Sequence, residues 1–139
     1  MSVVDASVWV SLLASDDVNH AATARWFERQ LSADTQFIVP SLVLIEIASA
    51  MTRRTGDASA AVAAPDRVRR LPEIEIVALT AEAAERAATI AARLVRRGAD
   101  AVYVALAAEL GVRLVTWDRQ QRERSAASIQ VSSPDDDLG

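Results

Sequence analysis

Short apolar runs alternate along this chain with longer stretches whose apolar residues recur at helical spacing. Ser2 to Asp5 reads as a short buried strand, and Ala6 to Ala14 as a helix with Val8, Trp9, Leu12 and Leu13 on one face. A turn at Asp16-Asp17 leads to a helix from His20 to Leu31. Phe37 to Val39 is a second strand, stopped by Pro40. Ser41 is placed to cap an apolar helix running to about Arg54 and ended by Gly56. Asp57 to Arg70 reads as helical with a break at Pro65, and Ile74 to Leu79 as a third strand. Thr80 opens a helix to Arg97 that Gly98 closes, and Asp100 begins another that runs to Leu110 and ends at Gly111. Arg113 to Thr116 is a fourth strand, Arg119 to Ser125 a short polar helix, and Ile129 to Val131 a last edge strand. Strands alternating with helices predict a three-layer α/β/α sandwich around a mainly parallel sheet of four to five strands.

The 139 residues suffice for one domain with a real core. We place that domain at residues 1–133 and an acidic, frayed tail at 134–139. Cysteine is absent, which excludes disulfides, thiolate metal sites and a cysteine nucleophile. Lysine is absent too. The first apolar stretch lacks a basic lead and already contains Asp5, so it does not read as a secretory signal. No apolar run approaches the roughly 20 residues that span a bilayer. A cytoplasmic protein without membrane attachment is the expectation. Net charge is −4, so no broad basic field marks a nucleic-acid partner.

Four carboxylates stand out against this background, each following or interrupting an apolar run: Asp5, Glu46, Asp100 and Asp118. Burying an ionised carboxylate is costly unless something offsets its charge, and a divalent cation held by several of them would do so. In open α/β sheets ligands gather beyond the carboxyl ends of the strands. Asp5 and Asp118 follow the first and fourth strands, and Asp100 starts a helix that faces the same edge. Glu46, the one ionisable residue between Phe37 and Arg53, joins them by elimination. Each acid also has a plain structural reading: Asp5 and Asp100 as helix N-caps, Asp118 as a turn residue, Glu46 on a solvated face.

In this order and spacing the motifs Val4-Asp5-Ala6-Ser7, Pro40-Ser41 before the Glu46 helix, Gly98-Ala99-Asp100-Ala101-Val102-Tyr103, and Leu114-Val115-Thr116-Trp117-Asp118 resemble the PIN-domain ribonucleases, and among them the VapC-type toxins of VapBC toxin–antitoxin systems. The resemblance covers the chain nearly end to end. It implies an endoribonuclease using Mg²⁺ or Mn²⁺ to hydrolyse phosphodiester bonds in single-stranded or looped RNA. It implies that Asp5, Glu46, Asp100 and Asp118 form the catalytic, metal-binding set, with the hydroxyls of Ser7 and Thr116 in support. A VapB-type antitoxin and a second copy of the chain are the implied protein partners. Gln121 departs from the family, which often has an apolar or aromatic residue there.

Arg96, Arg97, Arg53 and Arg119 are candidates to hold RNA phosphates, because Arg grips phosphate bidentately. Solvated helix ends are the alternative for each. His20, the single histidine, reads as a surface residue. Trp9 and Phe27 fit either the core or a partner groove, and Trp117 fits either packing or stacking on a base. A receiver domain or haloacid-dehalogenase-like phosphatase would need an active-site lysine that this chain lacks. The remaining alternative is a PIN-like module that binds RNA or protein without cutting.

Overall fold

The computed structural model describes residues 1–95 and 97–136. Five strands, β1 (Ser2–Val4), β2 (Phe37–Pro40), β3 (Ile74–Val77), β4 (Arg113–Val115) and β5 (Val131–Ser132), form one sheet. Every pairing is parallel, in the order β3-β2-β1-β4-β5. Among the described residues there are seven helices: α1 (Ala6–Leu13), α2 (His20–Ser32), α3 (Val43–Thr55), α4 (Ala58–Arg69), α5 (Ala81–Leu94), α6 (Gly98–Leu110) and α7 (Arg119–Ser125). Helices α1 to α4 pack on one another, α5 packs on α6, and α6 lies along β1, β2 and β4. The architecture is the expected three-layer α/β/α sandwich. None of these helices is long and apolar enough to cross a membrane.

The strand order positions the site. From β1 the chain steps outward to β2 and β3, then returns to the other side of β1 to lay down β4. The carboxyl ends of β1 and β4 thus flank the point where the winding reverses, the crevice in which α/β sheets bind ligands. The short β1, β2 and β4 are almost wholly buried, as expected of central parallel strands covered on both faces. Trp9 and Trp26 belong to the core; Phe37 stacks on Phe27 and meets Trp9 edge-on at 5.6 Å.

Several local expectations are corrected. Ser41 does not cap α3. Its hydroxyl accepts from the Leu79 N–H instead, and Leu42 occupies the cap without a side-chain bond. Pro40 pairs as the last residue of β2. Pro65 lies inside a continuous α4, because losing one backbone donor need not end a helix whose Ala61, Ala64 and Val68 are buried. Gly98 opens α6 rather than closing α5; α5 ends at Leu94 with Val95 in the left-handed conformation. The last strand is Val131–Ser132, two residues long. Asp136 accepts from the Ser133 N–H in a closing turn, and residues 137–139 of the expected tail lie outside the described part.

Gly111 caps α6 at φ 64°, where an added Cβ would meet nothing within 4 Å. Gly111→Ala therefore tests backbone conformation alone. We expect it to cost about 1 kcal/mol in urea unfolding; an unchanged midpoint would contradict the left-handed cap.

Candidate active site

Asp5 follows β1 and caps α1, its Oδ2 accepting from the Ser7 N–H at 3.1 Å. The same oxygen lies 3.0 Å from the hydroxyl of Thr116, a fully buried residue just past β4. Thr116 Oγ1 also accepts from the Asp118 N–H at 3.1 Å and lies 3.3 Å from Ser7 Oγ. Ser7 Oγ in turn accepts from the Trp117 N–H at 3.0 Å. The two hydroxyls thus stitch the end of β4 to the start of α1, beside a carboxylate only 6% exposed. Burial pushes the Asp5 carboxyl up, the Ser7 and Thr116 hydrogen bonds oppose this, and the nearby Asp118 charge adds to it.

Asp118 caps α7, accepting from the Gln121 N–H at 3.1 Å, and its side chain is exposed. Glu46 and Asp100, both half-buried, lie in the first turns of α3 and α6. All four acids thus stand at helix N-termini, where the dipole favours negative charge. The capping roles of Asp5 and Asp118 are real, and each coexists with a place on the pocket wall.

Glu46 Oε1 accepts from the Tyr103 hydroxyl at 2.6 Å. Burial raises its carboxyl to about 7, with the Tyr103 bond opposing and the charges of Asp5 and Asp100 adding to the rise. Tyr103 is itself pushed far above the ordinary phenol range by burial and by the Asp5 and Glu46 charges, so it stays protonated and donates. Tyr103→Phe removes the donor that favours ionised Glu46. We expect the Glu46 carboxyl to be pushed up further, read by carboxyl NMR in metal-free protein; an unchanged value would show that the bond does not bear on its ionisation.

Asp5, Glu46, Asp100 and Asp118 line one pocket of about 730 Å³, shared with Ser7, Trp117, Arg53 and Arg54. Among the described residues no three carboxylates converge as a ready-made ion cage. The donor set is nonetheless all oxygen and strongly negative, which suits a hard divalent ion that retains part of its water. Of the arginines singled out, Arg53 reaches this wall, where its guanidinium donates to Ser49 Oγ. Arg97 is exposed at the cap of α6, and Arg119 is exposed and paired with Glu123; neither lines the pocket. Arg96 lies outside the described residues. His20, with Nδ1 2.9 Å from the Ser11 carbonyl, is not among the residues that line the pocket.

The sequence pattern assigns no site role to Tyr103 or Asp17. Arg54 pairs with Asp17 across the pocket from α3 to the α1–α2 turn. Tyr103 carried a signal: a lone tyrosine in an Ala/Val-rich helix needs a partner for its hydroxyl once buried.

A PIN-domain profile matches residues 2–126. The chain belongs to the PIN-domain family. Its structure is similar to that of Mycobacterium tuberculosis VapC20, a sarcin–ricin loop cleaving toxin, with 26% identity, a TM-score of 0.74, and 93% of this chain and 96% of that one covered. It shares the fold of Rickettsia felis VapBC2 bound to a promoter DNA fragment (13% identity, TM-score 0.71, 95% and 97% covered). The same holds for DNA-bound VapBC from Salmonella typhimurium (17%, 0.69, 96% and 97%). The resemblance read from the motifs is thus borne out at the level of family and fold.

Proposed function

We propose that this PIN-domain protein is a metal-dependent endoribonuclease, the toxin of a type II toxin–antitoxin pair, that hydrolyses phosphodiester bonds in single-stranded or looped RNA. The observation that carries the reading is that Asp5, Glu46, Asp100 and Asp118 all line one pocket, at the switch point of the sheet. The 26% identical toxin, which cleaves the sarcin–ricin loop, supports the substrate class and makes that loop the first defined RNA to try. Toxin–antitoxin complexes sharing the fold support a VapB-type antitoxin as partner. A homodimer and a cytoplasmic setting belong to the same reading, as does a single catalytic domain over residues 1–133 with an acidic tail after it.

In this mechanism Asp5, Asp100 and Asp118 would hold Mg²⁺ or Mn²⁺, and Glu46 would either join them or orient the attacking water. Bound there, the ion would polarise the phosphodiester and make water a better nucleophile near neutral pH. Thr116 and Ser7 fix the Asp5 carboxylate. Tyr103 occupies Glu46 Oε1 and leaves Oε2 for a water or an ion. Arg53, on the lining of the same pocket, would hold a flanking phosphate.

Total RNA incubated with purified protein and Mg²⁺ or Mn²⁺, against EDTA and Asp5→Asn controls, tests this. Discrete products requiring both metal and Asp5 are expected. Absence of cleavage by folded, inhibitor-free protein would favour a module that binds without cutting.

A further inference from the structure

Gln121 is an amide in the first turn of α7 that is 1% exposed. Its Nε2 lies 3.3 Å from the main-chain carbonyl of Asp100, and its Oε1 lies 3.0 Å from Thr116 Oγ1. A carbonyl only accepts, so the amide nitrogen must face Asp100 and the amide oxygen must face Thr116. That fixes the side chain in one orientation. The Thr116 hydroxyl has one proton and two acceptors at 3.0 Å, Asp5 Oδ2 and Gln121 Oε1. Gln121 therefore takes part in setting where the Thr116 hydroxyl points, and through it the Asp5 carboxylate. At its other end it ties the first turn of α6, which carries Asp100, to α7, whose cap is Asp118.

We propose that Gln121 is a positioning residue that holds Asp5, Asp100 and Asp118 in register for a divalent ion, through Thr116 on one side and the Asp100 main chain on the other. This rests on the metal-site reading above. An apolar residue of the same size would fill the space and lose both tethers. Asn would keep the amide but, one methylene shorter, could not span from α7 to both partners. Outer groups that orient carboxylate ligands typically change metal affinity by about 10- to 100-fold when removed.

The experiment is calorimetric titration of Mn²⁺ into EDTA-cleared protein, with cooperative urea unfolding as the check on folding. Wild type should show saturable binding that Asp5→Asn abolishes. Gln121→Met and Gln121→Asn should each weaken it by about tenfold or more, and saturating Mn²⁺ should restore much of the cleavage rate. Gln121→Met combined with Thr116→Val should cost less than the sum of the two single losses, because both act on one hydroxyl. Wild-type Mn²⁺ affinity in either folded Gln121 variant would overturn the positioning role while leaving the metal site intact. If wild type itself bound no Mn²⁺ at Asp5, the metal-site reading would fall and the proposal with it.

Discussion

Asp5→Asn is expected to lower RNA cleavage by at least about 10³-fold, on the order of 4 kcal/mol of lost transition-state stabilisation, without unfolding the protein. Asn keeps an oxygen that can accept from the Ser7 N–H and Thr116 hydroxyl, so the cap on α1 and the tie to β4 survive. What disappears is the negative charge of a nearly buried side chain on the pocket lining. Burial already pushes that carboxyl up, so the metal-free fold carries the charge at a cost. In EDTA the variant should therefore unfold at the same or a higher urea concentration than wild type. In Mn²⁺ the order should invert, because only wild type gains from the ion. This pairing separates a site residue from a structural one: a purely capping Asp5 would leave cleavage within tenfold of wild type and show no metal-dependent inversion.

The parts of this protein that could be read in its sequence are those set by period and punctuation. Phe37 to Val39 and Leu114-Val115 are short apolar runs, and each lies buried in its strand. Gly56 and Gly111 end their helices in the left-handed conformation that glycine tolerates. That the four acids line one pocket follows a burial conflict only for Asp5, which is buried; Glu46 and Asp100 are half-buried and Asp118 is exposed, so for these the order and spacing of the motifs marked the place. What could not be read depends on side chains distant in sequence. Ser41 has the residue type of a cap, yet its hydroxyl is taken by Leu79, 38 residues away. Gly98 has the type of a helix stop, yet it starts α6. Arg97 stands three residues before Asp100 but off the pocket wall, whereas Arg53 reaches that wall from the last turn of α3. Gln121 reads in the sequence only as a departure from the family; that its amide spans from Thr116 to Asp100 depends on where the chain places α7 beside these two distant residues.

Mn²⁺ at about 100 times its dissociation constant should stabilise wild type by roughly 2.7 kcal/mol, and the gain should grow with pH. Without metal the dependence runs the other way. The Glu46 carboxyl titrates near 7 in the fold against an ordinary 4.5. Below 4.5 it is protonated whether folded or not. Between 4.5 and 7 the folded protein keeps a proton that the unfolded chain has released, so stability falls as pH rises and levels off above about 7. Asp5, also raised, contributes with the same sign. Because Glu46 is half-exposed, solvent screening holds its share to about 1 kcal/mol. Urea unfolding in EDTA at pH 5, 6, 7 and 8 should show this decline, and Glu46→Gln should flatten it. Metal reverses the slope because binding requires ionised carboxylates: ions that repel one another in the empty pocket share a counter-charge in the filled one. The Mn²⁺ curve should thus separate from the EDTA curve most widely at pH 8 and least at pH 5. Parallel curves would mean that the ion binds elsewhere, since no site built from Asp5, Glu46, Asp100 and Asp118 can take up a cation without competing with protons.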